Sequence, residues 1–308
     1  MIRTNGSRHP WYGSIWCPVG NRLILGTAQF GLPYGVANRT GAIERGEDAE
    51  ILNLAWSERV DTLDTAAAYG ESELRLGEIG TKRWRIVSKV PAVPEGVTDA
   101  AAWVRNSISR SLRSLGTTSL YGLLLHQPGQ LLGPKGDALH RALLEAKDRG
   151  EVTKVGISIY APEELDALWP HFKFDLVQGP MNIFDRRLSS SGWLTKLQSA
   201  GAEVHIRSIF LQGLLLMEPS MRPARFDAWR HLWDQWDRWR EETSVTALQA
   251  CIGFGLSQPD VDGVVVGVDS LRHFQGILEA ARCVPMPPPE HLQTDDIELI
   301  NPARWSQP

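Results

Sequence analysis

The chain has 308 residues, 43% of them hydrophobic and 22% charged, with 28 glycines and 19 prolines; this is the make-up of a globular protein with a large core and excludes disordered and fibrous classes. Lys and Arg number 32 against 36 Asp and Glu, so the formal charge of −4 offers no basic field to a phosphate backbone, and no nucleic-acid partner is expected. Cys17, Cys251 and Cys283 form no CxxC or paired pattern, residues 1–21 carry no apolar signal region, and no uncharged apolar run approaches the ~20 residues of a membrane span; a cytoplasmic protein with no membrane partner is expected.

From residue 22 onward, short runs rich in Val, Ile and Leu alternate with longer amphipathic stretches, as when crossover helices join parallel strands. Strands are predicted over 22–27, 60–65, 85–90, 119–126, 152–158, 174–178, 203–208 and 261–267. Helices are predicted over 46–58, 71–80, 98–115, 137–149, 162–169, 188–200, 225–242 and 271–281. Thr98 before Asp99 reads as a helix start, Gly116 and Gly150 as ends, and Pro162 as a first-turn residue. Although the length could hold two domains, eight strand–helix units are the number that closes a (β/α)8 TIM barrel in a single domain. The expected organisation is an N-terminal extension over 1–21, a barrel over 22–283 and a C-terminal tail over 284–308, draped over the barrel or partly disordered. Two additions to the minimal unit are expected, a long loop over 209–224 after strand seven and an extra helix over 244–256 before strand eight. An open dinucleotide-binding sheet is disfavoured: Gly253 and Gly255 begin a GxGxxG pattern, but Gln258 stands at its third glycine. Trp229, Trp233, Trp236 and Trp239 fall on one helical stripe, predicted to pack on the barrel or the tail, with a partner-binding face as the alternative.

Reactive groups of such a barrel stand at the C-terminal ends of its strands. Strand two ends in Asp64-Thr65-Ala66-Ala67-Ala68-Tyr69-Gly70, strand three in Ser88-Lys89-Val90 and strand four in Leu125-His126-Gln127. Each of Asp64, Tyr69, Lys89 and His126 has a structural explanation taken singly; four at one mouth are harder to dismiss. A phenol with an ordinary pKa of ~10 exchanges protons poorly near neutrality, and a lysine ammonium, oriented by an aspartate, would stabilise its phenolate. A neutral histidine would hydrogen-bond a carbonyl oxygen. No nucleophile or metal is present in the set, so the attacking species must come from a cofactor.

The motifs LGTAQFG, DTAAAYG, SKV, LLLHQP, GIS, Gln178, RSIFLQGLL and VVVGV, in that order, resemble the aldo-keto reductase superfamily from about residue 23 to 281. The resemblance implies a (β/α)8 barrel and reversible, metal-free, NAD(P)H-dependent reduction of an aldehyde or ketone. It implies Asp64, Tyr69, Lys89 and His126 as the catalytic four, with Tyr69 as proton donor. Gly26, Thr27 and Gly267 are assigned to cofactor binding, Ser158 and Gln178 to the nicotinamide carboxamide, and Ser208 to the pyrophosphate. Three departures stand out. Ile159 replaces the Asn that many relatives place after Ser158. Arg207 occupies the place of the aromatic residue that stacks on nicotinamide, where its charge would favour the reduced form over the cationic oxidised one. After strand eight, Asp269 would repel the 2′-phosphate of NADP(H), with only Arg272 or His273 to offset it, so NAD(H) is slightly favoured over NADP(H).

Other chemistries find less support. The histidines show no HxH or HExxH spacing for a metal, and Tyr160 stands where a hydrolase elbow beginning at Gly156 needs glycine. A Schiff-base aldolase would need a lysine of lowered pKa, whereas Asp64 would raise that of Lys89. A cofactor-binding regulator on the same scaffold is the alternative from another class; the intact four favour an enzyme. Gln29, Tyr34, Asn182 and Phe184 are expected around the mouth and point to a small carbonyl substrate such as a sugar or sugar derivative.

Overall fold

The computed structural model describes residues 22–283 and 286–305; the expected extension over 1–21, with Cys17, lies outside the described residues. In chain order the elements are β1 (Leu23–Gly26), α1 (Ala28–Gly31), α2 (Glu47–Ser57), β2 (Thr62–Asp64), α3 (Ser72–Ile79), β3 (Arg85–Val90), α4 (Ala100–Leu115), β4 (Leu120–Leu125), α5 (Gly136–Asp148) and β5 (Val152–Ser158). There follow α6 (Glu163–Leu168), β6 (Leu176–Pro180), α7 (Arg187–Ser190), α8 (Trp193–Ser199), β7 (Glu203–Arg207), α9 (Arg230–Thr243), α10 (Ala247–Leu256), β8 (Gly263–Gly267), α11 (Leu271–Ala281) and α12 (Ile297–Ile300). Each strand pairs in parallel with the next, and β8 returns to β1, closing the expected barrel.

Local chemistry accounts for several boundaries. The α4 helix is capped by Asp99, whose carboxylate accepts from the Ala102 N–H at 2.8 Å, one residue later than Thr98 suggested. The extra helix, α10, begins after Thr246, which with Gln249 forms a reciprocal capping box. The helix predicted over 188–200 is two, α7 and α8, because Gly192 between them takes a left-handed φ of 78°. The stretch predicted as helix from 225 runs as tight 3-10 turns over Ala224–Trp229 and becomes α-helical only at Arg230.

The two-residue period of a strand puts Arg85, Val87 and Lys89 of β3 on the barrel interior and Ile86 and Ser88 under the helices. On the same interior face lie Leu124, Lys154, Leu176, Gln178, Glu203 and Arg207 of the following strands. Val87, Leu124 and Leu176 form an apolar middle layer distinct from the helix–barrel core, with Tyr121 against it. Below that layer the barrel is plugged by Glu203, whose carboxylate meets Tyr121 Oη at 2.5 Å, His205 Nε2 at 2.6 Å and the Lys154 ammonium. Burial pushes the Glu203 carboxyl up, but the bonds from His205, Lys154 and Tyr121 outweigh it and hold it at about 2.

That depressed value makes a stability prediction with a sign. A carboxyl held below its unfolded pKa adds stability above the unfolded value, and the contribution is lost as pH falls toward about 2. Glu203→Gln is expected to lose about 3–5 kcal/mol at pH 7, as when one partner of a buried ionic cluster is removed, and less at pH 3. Urea unfolding at both pH values checks this; an equal deficit at each would show that the carboxylate charge is not the source.

The tryptophan stripe is core. Trp233, Trp236 and Trp239 are buried, Trp233 lies 4.9 Å from Phe184 between ring centroids, and Trp236 stacks on Trp239. The described part of the tail covers the same face: Leu292, Leu299 and Ile300 are buried, and Trp229 Nε1 donates to Asp296 at 2.8 Å.

Candidate active site

The interior rows of β2, β3 and β6 end in one polar cluster. Lys89, fully buried, donates to Asp64 Oδ1 at 2.7 Å and to the Thr65 carbonyl at 3.0 Å, while Gln178 Nε2 donates to Asp64 Oδ2 at 2.7 Å. Both carboxylate oxygens are therefore occupied, one by an ammonium and one by an amide. Tyr69 lies over this pair, with Lys89 Nζ 5.2 Å from its ring centroid, and the His126 ring meets it edge-on at 6.0 Å.

The turn that presents Tyr69 is fastened by groups with no reactive role. Ser72 Oγ donates to the Thr27 carbonyl and contacts the hydroxyls of Thr27 and Thr65, while Thr27 itself bonds the Asp64 carbonyl. Gly31 permits the close approach of this turn to α1, since a Cβ there would sit 2.0 Å from the Tyr69 carbonyl oxygen. Arg75, buried and paired with Asp48, ties α3 to the β1 loop through the carbonyls of Phe30, Ile43 and Glu44.

The electrostatics correct two expectations. The Tyr69 phenol is raised well above its ordinary value by burial and by the Asp64 charge, with Arg207 opposing; the Lys89 ammonium below the ring, paired with Asp64, does not bring it down to the neutral range. Burial also lowers the Lys89 pKa, outweighing the effect of Asp64. This change does not revive the aldolase, because the amine lies beneath Tyr69 and 1% exposed, bound to Asp64 and Thr65. His126 is pushed down to about 4 by burial, then by the charges of Lys89 and Arg207, and is neutral at physiological pH as expected.

A cleft of about 530 Å³ opens above the cluster. Gly26, Thr27, Ser158, Arg207, Ser208, Gly267, Asp269 and His273 line it, together with Asp64, Tyr69 and His126. Arg272, which is exposed, and Gln178, which is fully buried, stand outside the lining. Ser158 and Gln178 are register partners across β5 and β6, and Gln178 Oε1 is buried without a hydrogen-bond partner. Gln29 and Tyr34 line the cleft, but Asn182 and Phe184 do not: both are fully buried, and Asn182 is used in accepting from the N–H groups of Phe184 and Asp185 and donating to the Ser208 carbonyl. The pattern reading missed Asn38, Tyr160, Phe210 and Gln212 of the lining, which sit in loops where no periodicity signals a facing. Among the described residues no cluster of His, Cys, Asp or Glu could hold a metal ion, and no helix is long and apolar enough to cross a membrane.

A closed eight-stranded barrel with this cluster at the C-terminal mouth is the architecture of one class of proteins, and the chain belongs to the aldo/keto reductase family, whose family model matches residues 22–298. Among its relatives, the aldo-keto reductase YhdN of Bacillus subtilis (strain 168) is 24% identical over 184 residues, 56% of this chain and 53% of that protein, so the chain spans about half the length of the curated relative it matches. The aldo-keto reductase AKR11C1 from Bacillus halodurans, solved in its holo form, shares the fold with a TM-score of 0.70 at 20% identity, over 93% of this chain and 94% of that one. PA4992 from Pseudomonas aeruginosa, solved as a candidate aldo-keto reductase, superposes with a TM-score of 0.62 at 23% identity, over 85% and 89% of the two chains.

Proposed function

We propose that this protein is an NAD(P)H-dependent oxidoreductase that reversibly reduces an aldehyde or ketone, a sugar derivative among the candidates, to the alcohol. The observation that carries the reading is the convergence of a protonated Tyr69 and a neutral His126 on one cleft, over the buried Lys89–Asp64–Gln178 cluster. Ser158, which lines the cleft, and Gln178, buried next to it behind the lining, fit a nicotinamide. Gln178 presents a buried acceptor oxygen with no partner, and Ser158 presents a hydroxyl beside it in register; a carboxamide offers one donor and one acceptor to such a pair. When bound, the reduced nicotinamide supplies the hydride that this set of side chains lacks.

The chain's own residues handle the oxygen. His126, uncharged, donates a hydrogen bond to the carbonyl oxygen without competing for its proton. Tyr69 gives that oxygen its phenolic proton as the carbonyl becomes an alcohol, and the positive charges of Lys89 and Arg207 offset the phenolate left behind. In the oxidative direction the same phenolate takes the alcohol proton. A spectrophotometric screen of aldehydes, ketones and sugars at 340 nm with both cofactors tests the reading; tight NADH binding with no carbonyl turned over would point instead to the regulator.

Within this reading the favoured cofactor is NADH, held more tightly than its oxidised form. Asp269 lines the cleft, and its backbone N–H is directed at His273 Nδ1 across 3.4 Å, which makes that ring nitrogen an acceptor; burial lowers the His273 pKa, so it offers no cation to a phosphate. The expected result is a kcat/KM for NADH at least equal to that for NADPH, and a lower Kd for NADH than for NAD+ because of the Arg207 charge. A preference of ~100-fold for NADPH, worth ~2.7 kcal/mol, would overturn the cofactor assignment.

A further inference from the structure

Arg207 is a guanidinium in the cleft that no carboxylate answers. Its Nη1 donates to Ser208 Oγ at 3.2 Å and its Nη2 to the Ile159 carbonyl at 2.9 Å, and its carbon lies 4.7 Å from the centroid of the Tyr160 ring. Two of its five N–H groups are thus used, both on neutral partners, and no carboxylate of the described residues lies within ion-pair distance. Of the carboxylates that line the cleft, Asp64 is paired with Lys89 at 2.7 Å, and Asp269 accepts from the Asn38 amide at 3.3 Å, with no cation beside it and out of ion-pair reach of Arg207. The Ile159 carbonyl and the Tyr160 ring hold the guanidinium in place, so the cleft carries a fixed positive charge beside the residues that receive the carbonyl.

A partly buried cation without a counter-charge is costly, and the cost is relieved when an anion arrives with hydrogen-bond acceptors of its own. We propose that Arg207 binds a carboxylate that the substrate carries close to its reacting carbonyl. The proposal rests on the reductase reading and narrows it: the substrate is an oxo acid or, among sugar derivatives, one bearing an acid group. With the carbonyl oxygen on Tyr69 and His126, the carboxylate lies against the unused edge of the guanidinium. A planar fork suits a carboxylate better than a point charge would. The same cation could answer the diphosphate of a dinucleotide, so the test separates the two sources.

Oxamate and oxamide differ only in exchanging a carboxylate for an amide, and neither is reduced as a carbonyl substrate. In calorimetric titrations of the NADH-loaded full chain, oxamate is expected to bind about 30-fold more tightly than oxamide, the scale of a charge-assisted pair of hydrogen bonds. Arg207→Met should bring that ratio close to one, and Arg207→Lys should keep part of it; matching thermal melts would show that the variants fold. Equal binding of the two probes by the unaltered protein, or a ratio indifferent to Arg207→Met, overturns the proposal. If Arg207→Met instead weakens ADP-ribose binding tenfold and leaves the oxamate ratio alone, the anion is the cofactor's diphosphate and the substrate assignment fails. Failure of NADH to bind at all would sink the reductase reading, and the same titrations on the unloaded chain would still decide whether Arg207 takes the carboxylate.

Discussion

Tyr69→Phe is expected to lower kcat/KM for carbonyl reduction by ~10² to 10⁴, the range over which a general acid contributes, while the Kd for NADH changes little. The substitution removes one oxygen and leaves an aromatic ring that can keep its contact with His126. The groups that fit the nicotinamide, Ser158 and Gln178, stand on β5 and β6, remote in sequence from the altered turn. Because burial and the Asp64 charge raise the phenol pKa, the protonated form prevails across the neutral range. Reduction by the unaltered protein should therefore be level from about pH 6 to 9, whereas alcohol oxidation, which needs the phenolate, should climb with pH. Initial rates in both directions, alongside fluorescence titration with NADH, check all three outcomes. Reductase activity largely retained by Tyr69→Phe would remove Tyr69 from the chemistry.

How much of this was legible in the sequence depends on the range of the interaction involved. The barrel was, because each strand needs only a short apolar run and each helix a periodic face: β3, β5 and α11 occupy the residues the pattern predicts. The strand predicted over 60–65 is shorter because Val60 closes the preceding helix through Ala55 and does not enter the ladder. Asp64, Tyr69, Lys89 and His126 were legible as polar residues ending apolar runs. The partner of Asp64, Gln178, lies 114 residues away, and no local spacing announces such a bond. Asn182 was misplaced for the converse reason: a polar residue at a strand end reads as facing the mouth, yet its side chain is consumed by its own turn and by the Ser208 carbonyl. Arg207 stands out in the sequence as an oddity of position, but that it has no counter-ion is a property of the assembled cleft.

Lys89→Met should abolish most reductase activity and also destabilise the fold, and the two losses have different origins. Removing the ammonium leaves Asp64 buried with a single amide donor to its carboxylate, a change that costs about 3–5 kcal/mol when one partner of a buried pair is deleted. It also removes the cation beneath Tyr69 that offsets the phenolate, so the rate should fall by ~10² or more. The double variant Lys89→Met with Asp64→Asn separates the effects. With no charge left unpaired, most of the stability is expected to return, and the coupling of the two substitutions in urea unfolding should be on the order of 1–3 kcal/mol. Activity should not return, because neither neutral side chain can stabilise the phenolate. If activity recovered together with stability, Lys89 would be a structural counter-ion alone, and the proton on Tyr69 would have to be managed by Arg207.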